Sequence, residues 1–127
     1  EVGYSDLVNH REGDLQNDPL EESDAALLAN ILHHFRPTQV TALLGRVRAV
    51  LRPGGTVAIW ELEAPRTDRR ADHGDLMALF FRLSSTSGAY HGKQYANWLA
   101  EAGFSAVRVL RPWCSPGRVL VLARAGG

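Results

Sequence analysis

This sequence of 127 residues contains a single cysteine, Cys114. A disulfide framework or a cysteine zinc site within the chain is therefore excluded, and a reducing, cytoplasmic setting fits this usage. The 14 basic and 14 acidic residues balance each other, which argues against nucleic acid as a partner because phosphate binding needs a basic excess. No apolar run approaches the roughly 18 residues of a membrane span, so no membrane association is expected.

Several catalytic signatures are also missing. The chain has no G-x-S-x-G nucleophile elbow, which removes support for an α/β hydrolase. It has no H-E-x-x-H motif and no second cluster of histidine and cysteine, so no metal site is expected. What the chain does have is 45% hydrophobic residues, which suits one globular domain or part of a larger one.

Strand-like and helix-like patterns alternate along the first half. Residues 25–32 are nearly all apolar, which is typical of a strand buried on both faces, with a short helix as the alternative. Residues 38–52 have helical spacing, and "RPGG" at 52–55 is expected to end that helix. Residues 56–62 are β-branched and apolar, so the three segments predict a βαβ unit with a right-handed crossover.

The second half predicts two more helices and two more strands, while residues 7–13 are weakly strand-like and 14–23 read as a loop. Only about seven residues join the last two strands, which must then be antiparallel because a parallel crossover needs a dozen or more. The helix at 75–85 is expected to carry Leu76, Leu79, Phe80 and Leu83 on one side. The helix at 93–104 is expected to direct Tyr95, Trp98, Leu99 and Ala102 inward. The two strands lie near 105–111 and 118–125.

Two adjacent histidines follow the first strand. In open α/β sheets ligands bind outside the carboxyl ends of the parallel strands, and His33 and His34 lie just past one such end. Glu61 ends the next strand, about 4.8 Å away, so His33 and Glu61 could form a general base supported by a carboxylate. The alternative is a packing or capping histidine. Metal ligation has less support, because adjacent histidine side chains are expected to diverge.

Three segments together carry a family resemblance: "GDLQNDPLEESDAALLANILHHF", "LLGRVRAVLRPGGTVAIWELEAP" and "YANWLAEAGFSAVRV". In order and spacing they resemble the latter half of an S-adenosylmethionine-dependent O-methyltransferase, in the group of plant phenolic and bacterial antibiotic-pathway enzymes. The resemblance covers about residues 8–125. It implies an α/β fold with strands 4-5-7-6 of a Rossmann-like methyltransferase sheet and flanking helices. The last strand would be antiparallel and lie between the second and the third.

The resemblance also implies an activity and its residues. A methyl group would pass from S-adenosylmethionine to a hydroxyl, expected to be phenolic, of a small-molecule acceptor. His33 matches the catalytic base and Glu61 the carboxylate that supports it. His34 and Phe35 depart from the aspartate and tryptophan usual in the family, and Tyr90 stands where plant enzymes have a second glutamate. Cofactor contacts are expected from Asp14, Leu15 and Asn30, and substrate contacts from Met77, Phe80, Phe81 and Tyr90.

Other parts of the family pattern have no counterpart here. The glycine-rich cofactor loop, the ribose-binding carboxylate and the helical N-terminal dimerisation domain are all missing from these 127 residues. The chain is therefore expected to be a partial catalytic domain whose first strand would be an exposed apolar edge. The full-length protein is expected to be a homodimer. The alternative function is a non-catalytic, methyltransferase-like subunit that binds a partner.

Overall fold

The computed structural model describes residues 7–66, 73–84 and 88–126. The four strands and three helices predicted from residue 25 onward are present, together with a short 3-10 turn that carries the two histidines. In chain order the elements are β1 (Ser23–Ala29), the 3-10 turn (Leu32–His34), α1 (Pro37–Val50), β2 (Leu51–Leu62), α2 (His73–Ser84), α3 (Gly92–Glu101), β3 (Phe104–Leu110) and β4 (Arg118–Ala125).

The strands form one sheet in the order β1-β2-β4-β3. β1 and β2 are parallel, with Ala26 beside Val57 and Leu28 beside Ile59. β4 lies between β2 and β3 and is antiparallel to both. This arrangement confirms the predicted topology, which followed from the βαβ pattern and the short link before β4.

The core lies between one face of the sheet and the two helices α1 and α3. Alternate residues of a strand project to the same face, and Val57, Ile59 and Glu61 of β2 are all fully buried. Glu61 therefore continues a row of core residues, which places a carboxylate at the edge of an apolar interior. The same interior contains Val40, Leu43, Leu44, Val47, Tyr95, Leu99, Val119 and Val121.

The "RPGG" stretch belongs to β2 and does not end the helix, which corrects the prediction. Helix α1 already ends at Val50, and Leu51 pairs with Ser23 in the sheet. The register then jumps to Ala25 beside Thr56, so residues 52–55 form a bulge. Gly55 is required there, because a Cβ atom would lie 2.9 Å from the carbonyl oxygen of Asp24. Residues 7–13 form no strand, which was also predicted wrongly.

The apolar side of α2 is exposed. Leu76, Leu79, Phe80 and Leu83 are each more than half exposed, because helical spacing identifies a stripe but not the surface that covers it. Leu27 of β1 is exposed as well. Within the part of the chain that the structure describes, no strand pairs with the outer edge of β1. Among the helices that the structure describes, none combines the length and the hydrophobicity of a membrane span.

Candidate active site

The turn that carries the histidines lies at the carboxyl ends of the two parallel strands. β1 ends at Ala29, three residues before the predicted end at residue 32. Asn30 follows with a left-handed φ of 53° that redirects the chain. The amide of Asn30 still donates to the carbonyl of Trp60 at 2.9 Å. The 3-10 turn Leu32–His34 follows at once and brings His33 beside the end of β2.

Glu61 accepts three hydrogen bonds from this turn. Its Oε1 accepts from the amides of Ile31 and Leu32, both at 2.6 Å, and its Oε2 lies 2.8 Å from Nδ1 of His33. The two amides begin the 3-10 turn and would otherwise lack partners. One buried carboxylate thus holds both the main chain of the turn and the imidazole, as the predicted pairing of His33 and Glu61 required.

Both members of this pair are withdrawn from solvent. The His33 side chain is 4% exposed and the Glu61 side chain is fully buried. A carboxylate can only accept, so it selects the tautomer with hydrogen on Nδ1 and leaves Nε2 as the basic ring nitrogen. The arrangement is chemically suited to accept a proton at Nε2 and to stabilise the imidazolium that results.

His34 lies beside His33, with 4.0 Å between ring centroids and a 44° tilt. The adjacent histidine rings therefore contact each other, and the expectation that they would diverge is wrong. His34 is nevertheless exposed whereas His33 is buried. Within the described residues, no group of three or more histidine, cysteine, aspartate or glutamate side chains could hold a metal ion.

The predicted substrate residues occupy two different places. Met77 and Phe80 lie on α2, which contacts β2, and Phe80 is exposed. Phe81 is also in α2, but its side chain lies outside the described residues. Tyr90 precedes α3, and its hydroxyl donates to the carbonyl of Phe35 at 2.7 Å. The structure thus directs the Tyr90 hydroxyl to the main chain of the histidine turn.

Two of the three predicted cofactor residues share a cavity. Asp14 and Leu15 lie in a cavity of about 520 Å³ that is formed by residues 9–15 and 18–21, a volume typical of small-molecule sites. The Asp14 carboxylate accepts from the side chain of Asn17 and the amide of Gln16, which lowers the pKa of Asp14. Arg46 of α1 donates to the carbonyl of Leu15 and so fixes this loop to the helix.

Asn30 does not line that cavity. Its side-chain oxygen accepts from Arg118 of β4, whose guanidinium lies over the Trp60 ring, 5.8 Å from the ring centroid. The residues present therefore fit one part of a nucleoside-like ligand, with an apolar wall and a carboxylate in one cavity. Asn30 lies with a different cluster.

Sequence reasoning missed a second buried carboxylate, Glu63. It accepts from Nε and Nη2 of Arg111 at 2.7 and 2.6 Å and from the amide of Gly92 at 2.9 Å. Burial alone would raise the pKa of Glu63, but these hydrogen bonds outweigh burial and hold the pKa below its ordinary value. The available signal was the period of a strand, because Glu61 and Glu63 are two residues apart and share a face.

Comparison with known proteins agrees with this geometry. Residues 1–105 match the family model of the O-methyltransferase domain. The chain is 34% identical over 105 residues to the tetracenomycin polyketide synthesis 8-O-methyl transferase TcmO of Streptomyces glaucescens, covering 82% of this chain and 31% of that protein. It is 32% identical to acetylserotonin O-methyltransferase of Mus musculus over 127 residues, covering 100% of this chain and 33% of that protein.

A solved structure supports the same relationship. Human N-acetylserotonin methyltransferase in complex with SAM superposes with a TM-score of 0.79 at 28% identity, covering 92% of this chain and 33% of that chain. The chain thus spans about a third of the length of the relatives it matches. On the family match, the identity to these relatives and the shared fold, this chain belongs to the O-methyltransferase family.

Proposed function

We propose that the complete protein is an S-adenosylmethionine-dependent O-methyltransferase that methylates a phenolic hydroxyl of a small molecule. The observation that carries the proposal is the buried hydrogen bond between His33 and Glu61 at the carboxyl ends of two parallel strands. Relatives named for methylation of acetylserotonin and of 3-hydroxy-5-methyl-1-naphthoate support this choice of acceptor class.

His33 acts as the general base in this proposal. Its Nε2 accepts the proton of the acceptor hydroxyl, which makes the oxygen a better nucleophile. Glu61 keeps the hydrogen on Nδ1 and stabilises the imidazolium. When bound, S-adenosylmethionine supplies an electrophilic methyl group. Burial of the pair keeps water from competing for the base, and the fixed orientation of the ring contributes to the rate by positioning.

Asp14 and Leu15 would hold the adenosine end of the cofactor, with Leu15 packed on the adenine and Asp14 as hydrogen-bond acceptor. Asn30 would contact the cofactor from the end of β1. Met77, Phe80 and Phe81 of α2 would face the acceptor. The proposal treats residues 1–127 as part of a catalytic domain, so the glycine-rich loop that also binds the cofactor comes from outside these residues. It also includes a homodimer of the complete protein and a cytoplasmic location.

The alternative, a non-catalytic subunit that binds a partner, has less support. Such a subunit has no need of an imidazole oriented by a buried carboxylate, and burying these groups costs stability unless they are fully hydrogen-bonded. The chain keeps both residues and satisfies the carboxylate with three donors.

The test is methyl transfer by the complete protein. It is incubated with S-adenosylmethionine labelled in the methyl group and with a panel of phenols, matched phenyl methyl ethers serving as controls that lack the hydroxyl. We expect label in an O-methyl product of at least one phenol and none from the ethers. Absence of transfer to the whole panel by a protein that binds the cofactor would contradict the proposed function.

A further inference from the structure

Residues 88–92, here called the crossing segment, join two parts of the site that are far apart in sequence. At one end the amide of Gly88 donates to the carbonyl of His33 at 3.2 Å. At the other end the amide of Gly92 donates to Glu63 at 2.9 Å. The crossing segment therefore runs from the histidine turn to the end of β2.

Tyr90 holds the middle of the crossing segment by two hydrogen bonds and a ring contact. Its carbonyl accepts from the amide of Ala64 at 3.0 Å, just beyond β2. Its hydroxyl donates to the carbonyl of Phe35 at 2.7 Å. Its ring meets the Trp98 ring edge-on, with 4.9 Å between centroids. The phenol is thus braced on α3 and directed at the residue that ends the histidine turn.

These contacts fix the end of the histidine turn, whereas Glu61 fixes its start. Glu61 binds the amides at the start of the turn and the imidazole of His33. The crossing segment binds the carbonyls of His33 and Phe35. The main chain is therefore held both before and after His33, and a short turn held at both ends leaves the imidazole little freedom to rotate away from Glu61.

We propose that Tyr90, anchored through Glu63 and the crossing segment, is a positioning residue for His33. This inference rests on the proposed function and deepens it, because it assigns the Tyr90 hydroxyl to the main chain of the site instead of to the substrate. Loss of that hydroxyl loosens the turn after His33 and lowers the fraction of time that the base points correctly. Cofactor affinity stays unchanged, because Asp14 and Leu15 lie in a separate cavity.

The neighbouring Tyr95 provides a matched control. Its ring centroid lies 6.0 Å from that of Tyr90, and it is fully buried in α3. Its hydroxyl approaches the main chain of Tyr90 but forms no hydrogen bond with the described residues. Tyr95→Phe therefore removes the same atom from the same cluster without releasing the histidine turn.

The experiment compares Tyr90→Phe with Tyr95→Phe in the complete protein, alone and combined with His33→Ala. We expect Tyr90→Phe to lower kcat about tenfold, the rate equivalent of one hydrogen bond, with the KM for S-adenosylmethionine within about twofold. Combined with His33→Ala it should cost nothing further, because it acts through His33. Tyr95→Phe should leave the rate unchanged. The inference is overturned if Tyr90→Phe lowers kcat equally in the wild-type and His33→Ala backgrounds, or lowers it in neither.

An activity-independent measurement separates this inference from the proposed function. The imidazole N–H proton of His33, hydrogen-bonded to Glu61, is followed by NMR in the same variants. It should broaden by faster exchange in Tyr90→Phe and stay sharp in Tyr95→Phe, and equal behaviour overturns the inference even if the protein transfers no methyl group. If Tyr90→Phe does not fold, Glu63→Gln replaces it, because this change loosens the far end of the crossing segment. Glu63→Gln must then also cost no further activity when it is combined with His33→Ala.

Discussion

Nδ1 of His33 lies 2.8 Å from Oε2 of Glu61, where neither side chain has appreciable contact with solvent. The same carboxylate also accepts the two amides that begin the turn, so the imidazole cannot move without disturbing the main chain. Because one carboxylate binds both the backbone and the ring, substitutions at His33 and at Glu61 should have different effects on transfer and on stability.

Replacing His33 with alanine in the complete protein should slow methyl transfer by roughly 10² to 10⁴, the usual contribution of a positioned general base. Cofactor affinity should barely change, because His33 does not line the cavity of Asp14. His34→Ala is the matched control and should slow transfer less than about tenfold, since that ring is exposed and only rests on His33. Single-turnover transfer at saturating S-adenosylmethionine measures both, and a larger loss for His34→Ala would contradict the assignment.

Glu61→Gln should lower both stability and transfer. An amide presents one acceptor and one donor, whereas the site offers donors to both oxygens of the carboxylate. If the nitrogen of the new side-chain amide faces the main-chain amides of Ile31 and Leu32, donor opposes donor. If it faces His33, the ring must adopt the other tautomer, which places hydrogen on Nε2 and removes the base. We expect a loss of about 1–3 kcal/mol in the free energy of unfolding, the penalty for an unsatisfied buried group. Urea unfolding measures it, and wild-type stability in this variant would contradict the assigned hydrogen bonds.

Glu63 should make stability depend on pH in the acid range. Burial opposes its ionisation, but Arg111 and Gly92 lower the pKa of Glu63 below its ordinary value. A lowered pKa in the folded state gives stability that is complete above the unfolded pKa and is lost as pH falls through the folded pKa. The stability deficit of Glu63→Gln should therefore be largest near pH 6 and shrink toward about pH 3. A deficit that stays constant in urea unfolding over this range would contradict the prediction.

Two helical glycines should respond in opposite directions to alanine. A Cβ on Gly92 would lie 2.9 Å from Val109, 3.0 Å from Val119 and 3.1 Å from Glu63, so Gly92→Ala should destabilise by displacing the start of α3. Gly45 of α1 has nothing within 4 Å of the same position. Gly45→Ala should stabilise by about 0.5–1 kcal/mol through helix propensity. Thermal unfolding compares them, and equal shifts in Tm would contradict the packing argument.

The 127 residues alone should bind S-adenosylmethionine weakly or not at all. The residues proposed to contact the cofactor are confined to one cavity beside Asp14 and to Asn30, and the sequence has no glycine-rich loop. Calorimetric titration of these residues, with the complete protein as control, checks this. Micromolar affinity of the short chain, about −8 kcal/mol, would contradict the view that the remaining contacts come from elsewhere.

The sheet and the approach of His33 to Glu61 could be predicted because each depends on local patterns. The apolar run before His33 and the β-branched run before Glu61 identify two parallel strands, and parallel strands bring their carboxyl ends together. Strand spacing then places the two side chains within reach of one crevice. Strand topology followed in the same way from a link too short for a parallel crossover.

The remaining features depend on contacts between distant residues. The bulge at 52–55 is held by Arg52, which binds Glu22 and Asp24 about thirty positions earlier. The hydroxyl of Tyr90 reaches a main-chain carbonyl 55 positions away, and a carbonyl carries no signature in the sequence. The exposed face of α2 has the spacing of a buried one, because the pattern does not reveal what covers it.

The position of β4 sets the order in which the sheet can assemble. β3 precedes β4 in the chain but reaches the rest of the sheet only through it. A ribosome therefore releases β3 before its neighbour exists, and the pairing of Val57 with Ala123 joins residues far apart in sequence. Such non-local pairing slows folding and leaves apolar strands exposed in the meantime. Pairing of β4 with both neighbours is thus the step that completes the described sheet.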